Sequence, residues 1–206
     1  MTYVKASVRR PAGNPGNGIQ PKDQLVIYDV DDILSFPPRN EAGVVIEEDI
    51  VMKAGRYAIS IYLTPGTAEI SSNSDGETDA EGYTPSVKFN HPGNEQEIRE
   101  FKTNWLSKKC IVVLRYCSGK PADLIGTPCN PCKLSVSYTG SNESNTNELT
   151  FTQISKGDDI AIYRGTDTLE EPVAVVEAGA TDIDYQTDGQ YQLSAGAAKI
   201  AGVTGG

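Results

Sequence analysis

Four cysteines, one histidine and several acidic turns are the groups on this chain that could do chemistry. Cys129-Asn130-Pro131-Cys132 has the C-x-x-C spacing of a zinc knuckle or a thiol redox site. A zinc ribbon needs a second such pair, but Cys110 and Cys117 are seven residues apart. That odd separation sends the two thiols to opposite faces of a regular strand, so four-cysteine coordination would break the strand. A redox C-x-x-C sits at a helix start, where the dipole lowers a thiol pKa. Here the motif leads into Lys133 to Tyr138, which alternates as a strand, so Cys129 and Cys132 read as incidental turn cysteines.

His91, in His91-Pro92-Gly93, is the single histidine. Triads and most transition-metal sites need a well-placed histidine, and one in a turn reads as a local hydrogen-bonding group. Asp29-Val30-Asp31-Asp32 and Gly157-Asp158-Asp159 do not match the twelve-residue calcium loop and read as solvated turn carboxylates. Gly13 to Gly18 lacks the preceding strand and the following GK[ST] of a phosphate loop. No carboxylate pair is singled out for glycoside hydrolysis. The residues therefore predict neither an enzyme nor a cofactor or metal site, and they point towards interaction.

The elements that would position such groups are mostly strands. A 38% hydrophobic fraction with 20 Gly and 12 Pro as punctuation predicts a mainly β chain with many turns. Leu25 to Tyr28 and Val44 to Ile46 are short apolar runs. Arg56 to Leu63 alternates, with Tyr57, Ile59, Ile61 and Leu63 predicted on one face. Cys110 to Cys117 (CIVVLRYC) is nearly continuous and predicted to be central. Leu134 to Tyr138, Leu149 to Thr152 and Ile160 to Tyr163 add further strands. Residues 71 to 82 (SSNSDGETDAEG) and 140 to 147 (GSNESNTN) read as exposed loops. One helix is expected over about 94–108, with Asn94 as N-cap and Glu97 completing a capping box. Ile98, Phe101, Trp105 and Leu106 form its predicted core stripe.

Charge divides the chain. Lys5, Arg9, Arg10 and Lys22 stand in residues 1–22 without a single acid, leaving 14 of the 18 basic residues against all 28 acidic ones in the rest. The net charge is −10. A basic, Gly/Pro/Asn-rich arm on an acidic body suits head-to-tail docking of identical subunits, with rim charges steering and fixing register. The bland alternative is a solvated chain end. The acidic body is the wrong sign to attract nucleic acid but suits a surface that DNA passes without sticking. No apolar leader or membrane-spanning run is visible, which predicts synthesis in a cytoplasm, reduced thiols and no membrane partner. Residues 166–206 hold seven acids against Lys199 alone. The predicted organisation is an arm (1–22), a β domain (23–165) and an acidic extension (166–206) with strands at Val173 to Val176 and Tyr191 to Leu193 and a mobile end.

Asp29-Val30-Asp31-Asp32-Ile33, Gln96 to Leu106 (QEIREFKTNWL), Cys110 to Cys117 and Leu124 to Cys132 (LIGTPCNPC) together resemble tail-tube (major tail) proteins of long-tailed bacteriophages and prophages, particularly of Bacteroides-type hosts. The likeness covers residues 1 to 165 as a layout, and 94–117 is its most specific part; residues 166–206 depart from it. It implies a β-sandwich or half-barrel with one flanking α-helix, long extended loops and an N-terminal arm. It also implies a virion structural protein whose rings, typically hexameric, stack into a tube for DNA ejection. Implied partners are further copies of the chain and tape-measure, tail-terminator and tail-tip or baseplate proteins. Expected ring-to-ring contacts are Tyr3, Lys5, Arg9, Arg10 and Lys22 of the arm against Asp75, Glu77, Asp79 and Glu81 of the next ring. Alternative readings are another virion connector, at the neck or tail terminus, and a monomeric β-sandwich module binding glycans or a host surface.

Overall fold

The structure, a computed structural model, describes residues 7–13, 16–18, 20–117 and 119–169, and the backbone of 183–185 and 191–193. Two units divide the chain, Met1–Glu170 and Glu171–Gly206. In the first, the strands run in chain order as β1 (Pro21–Asp29), β2 (Ile33–Ser35), β3 (Val45–Ile46), β4 (Val51–Met52), β5 (Ile59–Tyr62), β6 (Glu69–Asp75) and β7 (Gly82–Pro92). The helix α1 (Gln96–Trp105) follows, then β8 (Cys110–Tyr116), β9 (Ala122–Ile125), β10 (Cys132–Gly140), β11 (Asn145–Gln153) and β12 (Ala161–Tyr163). In the second unit, β13 (Ile183–Tyr185) and β14 (Tyr191–Leu193) form an antiparallel pair. The strand expected at Val173 to Val176 lies outside the described residues.

β8 organises the first unit. Its run of apolar side chains is buried on both faces, as for a central strand. β1 pairs along one edge of it, from Asp29 opposite Cys110 to Pro21 opposite Tyr116. On the other edge β9 takes Val112 to Leu114, while β10 pairs at Cys110 opposite Cys132. Two branches diverge there, β9–β12–β3 and β10–β11–β7–β6, and β5 extends β1. All these pairings are antiparallel except β12 with β3, so the sheet is mixed.

Two apolar cores lie on opposite faces of β1 and β8. Leu25, Ile27, Val112 and Leu114 face the β10–β11–β7 branch, meeting Leu134, Leu149, Phe151 and Phe89. The Phe89 and Phe151 rings stack with centroids 6.3 Å apart. Val26, Tyr28, Ile111 and Val113 face the other way, onto Leu124, Ala161 and Tyr163. The excursion between β1 and β5 closes that side with Ile46, Ile50 and Ala58. This is a mainly β, sandwich-like fold with one flanking helix.

Several local expectations are corrected. The helix is shorter than 94–108, and its N-cap is Glu95, without a side-chain cap bond. Asn94 lies one residue before the cap, and its side-chain oxygen accepts from Lys102 Nζ at 3.0 Å. Ile98 is buried and Phe101 and Trp105 pack against the first core, but Leu106 lies past the helix end and is 55% exposed. Tyr57 is exposed while Ala58 is buried, because β5 begins at Ile59 and Ala58 turns into the second core. Half of the polar stretch 71–82 is paired strand rather than loop: β6 pairs with β7 from Glu69 opposite Lys88 to Asp75 opposite Gly82, leaving 76–81 as the hairpin loop. Likewise β10 and β11 run on through polar residues to Gly140 opposite Asn145, leaving only 141–144 as loop.

Candidate assembly surfaces

Of the arm, Val8, Arg9 and Arg10 are exposed, Val8 completely. Neither arginine forms an ion pair among the described residues. The arm meets the body at Gln20, whose carbonyl accepts from Cys117 N at 3.0 Å. Pro21 already pairs with Tyr116, so Lys22 belongs to β1 and the expected boundary at residue 22 falls inside a strand. Tyr3 and Lys5 lie outside the described residues.

The acids expected to receive the arm sit at the tip of the β6–β7 hairpin, and they are not equivalent. Asp75 is held by Lys156 at 3.1 Å and accepts from Gly76 N at 2.8 Å. The Lys156 bond, then the Gly76 bond, keeps its carboxyl below the usual range. Gly76 is required there: its φ is 142°, and a Cβ would meet the Ala80 carbonyl oxygen at 2.3 Å. Glu77, Asp79 and Glu81 are exposed and take no part in ion pairs among the described residues. Asp79 stands at φ 70°.

Glu81 lines a groove of about 370 Å³ together with Val44, Tyr83, Asp158 and Asp159. Paired backbone bonds between Tyr83 and Gly157, at 2.9 and 3.0 Å, bring the 157–159 turn beside the hairpin. Asp159 accepts from Ser72 Oγ and Ile160 N, whereas Asp158 stays largely exposed. In sequence Gly157-Asp158-Asp159 is a turn with solvated carboxylates, and no local signal puts it next to Glu81.

Arg39 was missed as well. Its Nη1 donates to the Gly43 carbonyl at 3.0 Å and its Nη2 to the Asp159 carbonyl at 2.7 Å. Its Nε is buried without a hydrogen-bond partner, 3.9 Å from Asp158. Beside it opens a cleft of about 710 Å³ lined by Phe36, Pro38, Pro128, Cys129 and Asp158.

The expected boundary at residue 165 is also displaced. Asp167, which reads in sequence as one more acid of the extension, turns its side chain into the body. It accepts from Tyr28 Oη at 2.7 Å and pairs with Arg115, which also donates to Gly165 O at 2.8 Å. Arg115 lies 5.6 Å from the centroid of the Tyr163 ring. Burial, then the Asp167 charge, drives the Tyr28 phenol far above its usual pKa. Thr168 O accepts from Ala58 N at 2.9 Å, carrying the attachment to the end of the unit.

Of the other chemical candidates, Cys110 and Cys132 stand opposite each other across β8 and β10, so Cys132 is a strand residue rather than a turn cysteine. Cys117 and Cys129 are exposed, and Cys110 and Cys132 are buried. His91 lies within β7, edge-on to Tyr62 at 6.2 Å. Its Nδ1 is buried without a hydrogen-bond partner, and burial pushes the imidazole pKa down. Asp29 accepts from Asp31 N at 3.1 Å, capping a 3-10 turn (Val30–Asp32), and pairs with Lys108. Among the described residues no group of three or more His, Cys, Asp or Glu is placed to hold a metal ion, and no helix is long and apolar enough to cross a membrane.

This geometry defines a mainly β protein with an exposed basic approach segment and an acidic rim at the tip of a hairpin. Comparison of the chain with protein-family models, curated proteins and solved structures gives no match.

Proposed function

We propose that the chain is a structural subunit that assembles with copies of itself into stacked rings forming a phage tail tube, a conduit for DNA within the virion. The observation that carries this reading is the charge division. Arg9 and Arg10 stand exposed on a segment with no acid, and Glu77, Asp79, Glu81 and Asp158 stand exposed on the body. Within one molecule Arg9, Arg10, Glu77, Asp79 and Glu81 are unpaired among the described residues, and Asp158, met by Arg39 Nε at 3.9 Å, keeps most of its carboxylate exposed, so contact between copies is their natural use. Asp75 drops out of the expected receiving set, because Lys156 already holds it. The Glu81–Tyr83–Asp158 groove takes its place, offering carboxylates and an aromatic face to an incoming guanidinium.

The resemblance in layout supports hexameric rings, with tape-measure, tail-terminator and tail-tip proteins as partners. A net charge of −10 supports a wall to which DNA does not adhere. Negative-stain electron microscopy of the full chain over a range of concentration and salt tests the reading. Rings or hollow tubes are the expected result. Uniform monomers that persist with a tail-tip or tape-measure partner would overturn it in favour of a monomeric binding module.

A further inference from the structure

We propose that Cys110 and Cys132 are a latent cross-strand disulfide that staples the single junction between β8 and β10. Cys132 stands directly opposite Cys110, and among the described residues this is the only register pair between those strands. Both side chains enter the first core and are fully buried. The Cys110 thiol donates to the Cys132 carbonyl at 3.4 Å. Directly opposed residues on antiparallel strands have Cβ atoms about 4.5–5.5 Å apart, and a disulfide needs about 3.5–4.5 Å, so a shift of roughly 1 Å closes the bond. Gly126 leaves space for the sulfurs: a Cβ there would lie 3.1 Å from Cys132 Sγ. Cys117 is exposed where the arm enters, and Cys129 is exposed on the turn closed by bonds between Thr127 and Asn130, so neither shares this register position.

The oxidant is a small-molecule disulfide such as oxidised glutathione. Cys132 as thiolate attacks one of its sulfurs, forming a mixed disulfide and releasing the first small thiol, which takes up the proton. Cys110 then attacks the Cys132 sulfur, forming the protein disulfide and releasing the second small thiol. Two protein thiols are oxidised and one small disulfide is reduced to two thiols. Burial pushes the Cys110 thiol up to about 12, and burial together with Cys110 raises that of Cys132. Reaction therefore requires opening at the ends of β8 and β10 and is faster at higher pH. Made in a reducing compartment, the chain would carry free thiols and acquire the staple only after leaving it. None of this depends on ring formation.

The test is to incubate the full-length protein with oxidised glutathione at about pH 8, alkylate remaining thiols under denaturing conditions, and map the peptides without reduction. The expected result is a linked Cys110–Cys132 peptide, with a thermal midpoint raised by about 5–10 °C and restored by dithiothreitol. The exposed-turn variant Cys129→Ser is expected to form the same bond. Recovery of both Cys110 and Cys132 as alkylated thiols, linkage of Cys132 to Cys129 instead, or a linked protein with an unchanged midpoint would each overturn the proposal.

Discussion

Tyr28 and Asp167, separated by 139 residues of sequence, meet through a 2.7 Å hydrogen bond at the edge of the second core. Arg115 completes the cluster, and its bond to Gly165 O fixes the chain just before Asp167. The last described turn of the first unit is thereby tied to two central strands.

Asp167→Ala leaves Arg115 partly buried without its acid and the Tyr28 hydroxyl without its acceptor. The expected loss is about 2–4 kcal/mol, read from urea denaturation with an unchanged m-value. Asp167→Asn keeps an acceptor for Tyr28 and is expected to lose less.

Alkaline pH acts on the same cluster and on Tyr116 of the first core, whose hydroxyl donates to Asp123. Burial raises the phenol pKa of Tyr28, Tyr116 and Tyr163 in the folded protein. The unfolded chain therefore releases these protons first, at about pH 10, while the folded chain still holds them. The contribution of these three tyrosines to stability is constant below that pH and falls as pH rises above it. Thermal melts across the alkaline range, with tyrosinate absorbance recorded in parallel, are expected to show ionisation coinciding with unfolding. Ionisation of all the tyrosines before unfolding would contradict this.

The helix stripe divides by burial. Ile98 is 5% exposed in the first core and Leu106 is 55% exposed beyond the helix end. Ile98→Ala is expected to cost about 2–4 kcal/mol, and Leu106→Ala to stay within about 0.5 kcal/mol of the parent. Equal effects would place Leu106 back in the core.

Charge reversal probes assembly. Arg9→Glu with Arg10→Glu is expected to leave the melting temperature unchanged and to weaken self-association at least about tenfold at low salt. Glu81→Arg with Asp158→Arg in that background is expected to restore part of it. Sedimentation velocity at two salt concentrations reads both effects.

Much of the fold was legible where apolar pattern alone decides it. CIVVLRYC declares a central strand, and the spacing of Ile98, Phe101 and Trp105 declares a helix seated on a sheet. Polar strands were not legible. Ser71 to Asp75 and Asn145 to Asn147 have the composition of loops, but their backbones are satisfied by a cross-strand ladder, with Ser71 and Ser86 hydroxyls bonded at 2.9 Å. Strand propensity reflects neighbours as much as residue type, and those neighbours are distant in sequence. The candidate surfaces were legible as charge but not as position. Asp75 looked equivalent to Glu81 until Lys156, far along the chain, was brought against it. Arg39 and Asp167 gave no signal, because their roles depend on carbonyls and hydroxyls that only tertiary contact supplies.

Burial on both faces has a further consequence for β8. A strand with one wet face is held against slippage, because a one-residue shift would drive polar groups inward. In β8, Ile111 and Val113 could exchange cores with Val112 and Leu114 and remain in apolar surroundings. The alignment must therefore be enforced at the ends. Arg115 does this at one end through Asp167, and Lys108 does it just before the other through Asp29. These ion pairs act as locating pins for a strand that greasy packing alone would leave free to slide.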